Sequence, residues 1–184
     1  MNELSLFSGG GGGVWAAKRL GHRIIGYVEW EKDAQKVIRA RIADGSFDDA
    51  PIFGDIRTFI ADGCADQYRG YADLVSGGFP CQPFSVAGKQ RGADDPRNMW
   101  PPTCEVIRRV RPEWAFLENV PGLLSSGYFG VILGDLHAVG YDCRWGVVSA
   151  ADTGAPHLRR RLWILAHRQS AGQQTRCSNG LGND

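Results

Sequence analysis

The sequence lacks the features that would place it in several common classes. No stretch approaches the roughly 18 consecutive apolar residues that a membrane-spanning helix needs. The amino terminus has no basic segment leading into an apolar one, so no secretory signal is read and a cytoplasmic address is the expectation. The five cysteines, Cys64, Cys81, Cys104, Cys143 and Cys177, include no C-x-x-C pair, so no metal site is expected. Their odd number argues against a disulfide framework. There is no internal repeat. The net charge is only +1, so no overall field advertises a polyanionic partner.

What is present fits a folded α/β protein. A chain of 184 residues with 43% hydrophobic content can bury a real core. Short apolar runs at Leu4–Phe7, Arg23–Glu29, Ile52–Phe53, Ala72–Ser76 and Trp114–Leu117 read as strands. Helical segments lie between them: Val14–Leu20 closed by Gly21, a helix capped by Asp33 and running to Arg41, and one begun by Pro101 and Pro102 and ending near Val110. Ser126 to Val139 reads as a further helix stopped by Gly140, with final strands at Tyr141–Ser149 and Arg161–Ala166. Alternating strands and helices predict a doubly wound, mostly parallel sheet of Rossmann-like type. Residues 1–168 form the expected domain, and 169–184 read as a polar, disordered tail or as the opening of a further domain. Positive charge is mostly arginine, clustered at Arg108, Arg109 and Arg111 and again at Arg159, Arg160 and Arg161. For Arg108 and Arg109 a solvated helix face is the simpler reading.

In a doubly wound sheet, ligands bind beyond the carboxyl ends of the strands. The unusual polar residues fall there: the glycine tract Gly9–Gly13, Glu29-Trp30, Asp55, Pro80-Cys81 and Glu118-Asn119. The tract has no G-x-G-x-x-G in any register, because Val14 and Trp15 stand where the third glycine would be. A ligand without a diphosphate therefore fits better. Glu29 can accept from ribose hydroxyls, Trp30 offers a flat face to an adenine ring, and Asp55 can accept from an exocyclic amine. On its own, Trp30 is as well explained by packing. Cys81, in Gly77-Gly78-Phe79-Pro80-Cys81-Gln82-Pro83-Phe84-Ser85, is placed like a nucleophile, although an isolated cysteine is more often inert. Glu118 is a candidate acid. Arg159 and Arg161, two apart, would share one face of a strand.

These motifs together resemble the DNA (cytosine-5) methyltransferase family. Ser5-Leu6-Phe7-Ser8-Gly9 through Gly12 is similar to its first cofactor motif, Glu29-Trp30 to the second and Gly54-Asp55-Ile56 to the third. Gly77 to Ser85 matches the P-C-Q motif, and Glu118-Asn119-Val120 the E-N-V motif. Gly154 to Arg161 resembles the Q-x-R-x-R segment, with His157 where glutamine is usual. The likeness is to bacterial and prophage members. It implies the S-adenosylmethionine-dependent methyltransferase fold with an antiparallel final strand. It also implies S-adenosyl-L-methionine held by Phe7, Ser8, Gly9, Gly11, Glu29, Trp30, Asp55, Ile56, Pro80 and Met99. Cys81 would attack cytosine C6, with Glu118, Arg159 and Arg161 in catalytic roles. Gln82, Ser85, Lys89, Arg91 and Arg97 would meet double-stranded DNA around a flipped base.

Family members continue into a target recognition domain and further motifs, whereas sixteen residues follow Arg168 here. Two readings follow. One is a catalytic part completed by a second chain that supplies recognition and C-terminal motifs. The other is a non-catalytic remnant, or a module that binds cofactor or DNA without turnover. Two other enzyme classes fail on sequence. A zinc nucleoside deaminase needs P-C-x-x-C, but position 84 is Phe84. A nicotinamide dehydrogenase needs the missing glycine fingerprint.

Overall fold

A computed structural model describes residues 1–80 and 97–169; residues 81–96 and 170–184 lie outside the described residues. Seven strands form a mixed sheet in the order β3-β2-β1-β4-β5-β7-β6. They are β1 (Asn2–Leu6), β2 (Arg23–Val28), β3 (Ile52–Phe53), β4 (Leu74–Gly77), β5 (Trp114–Asn119), β6 (Tyr141–Ser149) and β7 (Arg160–Arg168). The helices are α1 (Gly12–Arg19), α2 (Lys32–Ala43), α3 (Ile56–Ala61), α4 (Trp100–Val110) and α5 (Tyr128–Ala138). The chain divides into two compact units, Met1–Gly78 with Pro102–Ala115 and Phe79–Pro101 with Phe116–Asp184.

In the first unit, β1 pairs in parallel with both β2 and β4, and β2 with β3. Register matches Leu6 to Val28 and Val28 to Phe53, so the carboxyl ends of the three strands lie side by side. The chain winds outward from β1 to β3 and then returns to β4 on the other side of β1. That reversal opens a crevice at the strand ends. A core of Val14, Ala17, Ile24, Tyr27, Ile38 and Phe47 fixes α1 and α2 against the sheet. Asp33 does not cap α2: the cap position is Glu31, and Asp33 lies in the first turn, where a carboxylate complements the helix dipole. Helix α3 and a 3-10 turn at Ala65–Tyr68 had no clear sequence signal, because each is too short to establish a period.

In the second unit, β6 and β7 pair antiparallel along their whole length, from Tyr141 opposite Arg168 to Ser149 opposite Arg160. The turn joining them is closed by a capping box. Ser149 Oγ accepts from the Ala151 N–H, and Asp152 accepts from the Ser149 N–H. Helix α5 packs on β6. It begins at Tyr128 rather than Ser126, because Gly127 adopts a positive φ and the preceding turn is 3-10. No described helix is long and apolar enough to cross a membrane.

Candidate functional site

In the first unit, the candidate residues lie at the ends of β1, β2 and β3. After Leu6 the backbone turns sharply: Phe7 has φ +50, a conformation rare for a bulky side chain and costing about 1–3 kcal/mol. Such strain is found where a turn must serve a ligand. Ser8 Oγ donates within the turn to the Ser5 carbonyl and also contacts Ser5 Oγ, both at 3.0 Å. Gly11, at φ +89, starts α1 with no side-chain cap, so the first N–H groups of that helix point outward without a protein cap. A Cβ at Gly11 would meet Phe47 Cζ at 2.5 Å, so only glycine fits.

Glu29 is 8% exposed, and main-chain donors hold both its oxygens: the Gly9 N–H at 2.6 Å and the Glu31 N–H at 2.7 Å. The carboxylate therefore clamps the glycine turn to the end of β2. Each oxygen keeps a further lone pair that can accept from a hydroxyl. Trp30 beside it is 70% exposed, which removes the packing explanation for that residue. Asp55 is the N-cap of α3 and accepts from the Arg57 N–H at 2.8 Å. Ile56 is buried behind it. Phe7, Ser8, Gly9, Gly11, Glu29, Trp30, Asp55 and Ile56 thus all fall in the one unit, at or just beyond three adjacent strand ends.

In the second unit, candidate residues lie on β5 and β7. Glu118, near the end of β5, pairs with Arg161 Nε at 2.5 Å. Arg161 is the second residue of β7, and the pair is partly buried. One step along the same faces, Phe116 stacks on Trp163 with centroids 5.0 Å apart. Glu118 is thus held in a half-buried ion pair. Arg159 precedes β7, is exposed and makes no side-chain bond among the described residues, so it does not share the Glu118 pair. Pro80 is exposed, Met99 half-buried and Arg97 exposed. Cys81, Gln82, Ser85, Lys89 and Arg91 lie outside the described residues. Asn119 was not singled out for a role in the sequence. Its Nδ2 donates to the Phe79 carbonyl at 2.9 Å, and adjacency to Glu118 in the E-N-V motif was the available signal.

Arg108 and Arg109 are committed inside the first unit. Both grip Glu105, and Arg109 also reaches Asp66 at 2.9 Å. That accounts for them without a phosphate.

A strand-end crevice at a point where the strand order reverses is where doubly wound α/β folds bind ligands, and solved structures of Rossmann-like methyltransferases share the fold. DNMT2 from Spodoptera frugiperda, as a triple mutant, superimposes with a TM-score of 0.75 at 21% identity, covering 97% of this chain and 53% of that one. A DNA modification methyltransferase encoded within an E. coli prophage gives 0.69 at 26% identity, covering 91% and 47%. The chain belongs to the C-5 cytosine-specific DNA methylase family, which it matches over residues 1–180. It is 35% identical to the type II methyltransferase M.NgoMIV of Neisseria gonorrhoeae over 167 residues, 89% of this chain and 51% of that protein. To M.HpaII of Haemophilus parainfluenzae it is 32% identical over 175 residues, 92% and 46%. The chain spans about half the length of the curated relatives it matches.

Proposed function

We propose that this chain is the donor-binding and catalytic part of a DNA (cytosine-5) methyltransferase, acting on double-stranded DNA through a covalent Cys81 adduct. The observation that carries the reading is the Glu118–Arg161 pair at 2.5 Å, a fixed carboxylate and guanidinium at neighbouring strand ends in a chain of this family. The first unit fits S-adenosyl-L-methionine. Glu29 has lone pairs left for ribose hydroxyls, Trp30 offers an open stacking face, Asp55 presents a half-buried carboxylate, and the start of α1 has uncapped N–H donors for a carboxylate. When bound, that group supplies an electrophilic methyl carbon to C5 of the base.

The chain's own residues do the rest. The Cys81 thiolate adds to C6 of a flipped-out cytosine, which makes C5 enamine-like and nucleophilic. Glu118 holds N3 and the exocyclic amine, and Arg161 holds Glu118. After methylation C5 loses its proton to a base, the C6–S bond breaks, and Cys81 leaves as thiolate. Gln82, Ser85, Lys89, Arg91 and Arg97 are proposed DNA contacts, with Arg159 an additional exposed guanidinium for phosphate or base. Residues 1–168 are proposed as the catalytic domain and 169–184 as a tail. A second chain carrying target recognition and C-terminal motifs is the further partner proposed in this reading.

Trapping tests the proposal. With cofactor and DNA containing 5-fluorocytosine, the chain forms a covalent adduct, and Cys81→Ala abolishes it. An adduct that survives the substitution refutes the nucleophile. No adduct, either alone or with a coexpressed second half, leaves the non-catalytic module. Calorimetry with cofactor then separates a binding module from a remnant.

A further inference from the structure

The first unit contains a cavity of about 440 Å3, lined by none of the described residues proposed for the methyl donor or the base. Its inner wall is apolar: Ile25 of β2, Phe53 of β3 and Tyr68 of the 3-10 turn. That wall is held in one arrangement. The Phe53 ring meets those of Phe59 and Tyr68 with centroids 4.7 and 6.2 Å apart. The Tyr68 hydroxyl donates to the Ile25 carbonyl at 3.2 Å and lies so close to Gly26 that a Cβ there has no room. Burial pushes the Tyr68 phenol up to about 12, so the wall stays uncharged near neutrality. The outer wall is different. Arg23 and Tyr71 are exposed there, and the Tyr71 backbone is tied down by Asn2, whose Nδ2 donates to its carbonyl at 3.1 Å. Arg23 carries the only formal charge among the described residues that line the cavity. Its guanidinium makes no hydrogen bond or ion pair among the described residues.

The volume falls in the range of small-molecule sites, about 300–1,000 Å3. The lining matches one ligand chemistry. Aromatic rings pack favourably on other rings, and an uncommitted guanidinium takes a carboxylate through two parallel N–H donors. A cation meets the charge of Arg23 with the wrong sign. A neutral apolar molecule leaves the guanidinium fork unused, and a bare inorganic anion leaves the aromatic wall in water. We propose that this cavity binds a small aromatic carboxylate of one or two rings, with its carboxylate on Arg23 and its ring against Phe53, Tyr68 and Tyr71. The site is separate from the proposed donor site. Arg23 begins β2 and Val28 ends it, and the strand rise puts about 16 Å between them. The proposal does not rest on methyl transfer, and it holds equally for a chain without turnover.

The test uses the full chain with indole-3-acetate as probe and its primary amide as the uncharged control. By calorimetry the carboxylate binds about tenfold more tightly than the amide. Arg23→Gln, at an exposed position, abolishes that preference and leaves amide binding unchanged. Tyr71→Ala weakens both probes. Cys64 also lines the cavity and reports its occupancy. Saturating indole-3-acetate slows alkylation of Cys64 by iodoacetamide about tenfold, through loss of access. Cys104, a half-buried free thiol of the same unit that does not line the cavity, is unchanged. The comparison of acid with amide on the parent chain decides the matter even if a variant fails to fold. No binding of the acid, or equal affinity for acid and amide, overturns the inference. Equal slowing at both cysteines does so too, and displacement of the probe by S-adenosyl-L-methionine assigns it to the donor site instead.

Discussion

The two units hold their candidate carboxylates by different means. In the first unit, Glu29 is gripped by two main-chain N–H groups and Asp55 by one. In the second, Glu118 is held by another side chain, Arg161. A side-chain pair can be remade with a new partner at the cost of a rotamer change. A carboxylate clamped by the backbone cannot be released without undoing the turn it closes. The first arrangement suits a ligand that docks against a preformed surface, and the second suits a group whose partners change during a reaction. The comparison breaks if the first unit tolerates change as readily as a surface loop.

The largest expected effect is at Gly11. Its positive φ and the Phe47 ring each oppose a side chain. Gly11→Ala is expected to lose about 3 kcal/mol in urea denaturation. Gly10→Ala, at a neighbouring glycine with open space around it, should change stability by no more than about 0.5 kcal/mol. Equal losses at both positions would mean that the turn is not pinned where the structure pins it.

Next come Glu29 and Trp30, neighbours with opposite surroundings. Glu29→Ala removes the acceptor of two backbone donors and is expected to cost about 2 kcal/mol. Trp30→Ala removes a largely exposed ring and should cost less than about 0.5 kcal/mol. Both should weaken S-adenosyl-L-methionine about tenfold or more by calorimetry, the tryptophan through loss of a stacking face. Intact affinity in Trp30→Ala would remove that residue from the proposed site.

Much of this architecture was legible in advance. The glycine tract, Glu29-Trp30 and Glu118 fell at strand ends because strand–turn–helix punctuation is local, and apolar runs bounded by glycine mark it. Strand β6 matched in full, since alternation from Tyr141 to Trp145 and the β-branched Val147 and Val148 follow directly on Gly140. What escaped were contacts between distant residues. Nothing near Glu29 announces that Gly9 and Glu31 will take both its oxygens. Nothing near Trp100 announces Asp135, thirty-five residues on. The pairing of Arg161 but not Arg159 with Glu118 also escaped. It depends on β7 starting at Arg160, a boundary that periodicity fixes only to a residue or two.

The smallest effect is at a carboxylate of the first unit that no proposed role uses. Glu105 on α4 accepts a two-pronged bond from Arg108 at 2.6 and 2.7 Å and a third from Arg109 at 2.6 Å. The Arg108 hydrogen bonds, followed by those of Arg109 and against the cost of partial burial, hold its carboxyl down at about 2 rather than 4.5. A carboxyl lowered in the folded state adds stability that is fully present above its unfolded value and is lost as pH falls toward the folded one. Glu105→Gln should therefore cost about 1 kcal/mol at pH 7, in keeping with a partly exposed cluster. The gap to the parent chain should begin to close below pH 4.5 and be largely gone near pH 2. Urea midpoints of both proteins between about pH 7 and pH 3 measure it. A gap that stays constant through that window would mean the arginines contribute by packing rather than by charge. The contrast between backbone-held and side-chain-held carboxylates would then have to be drawn on geometry alone.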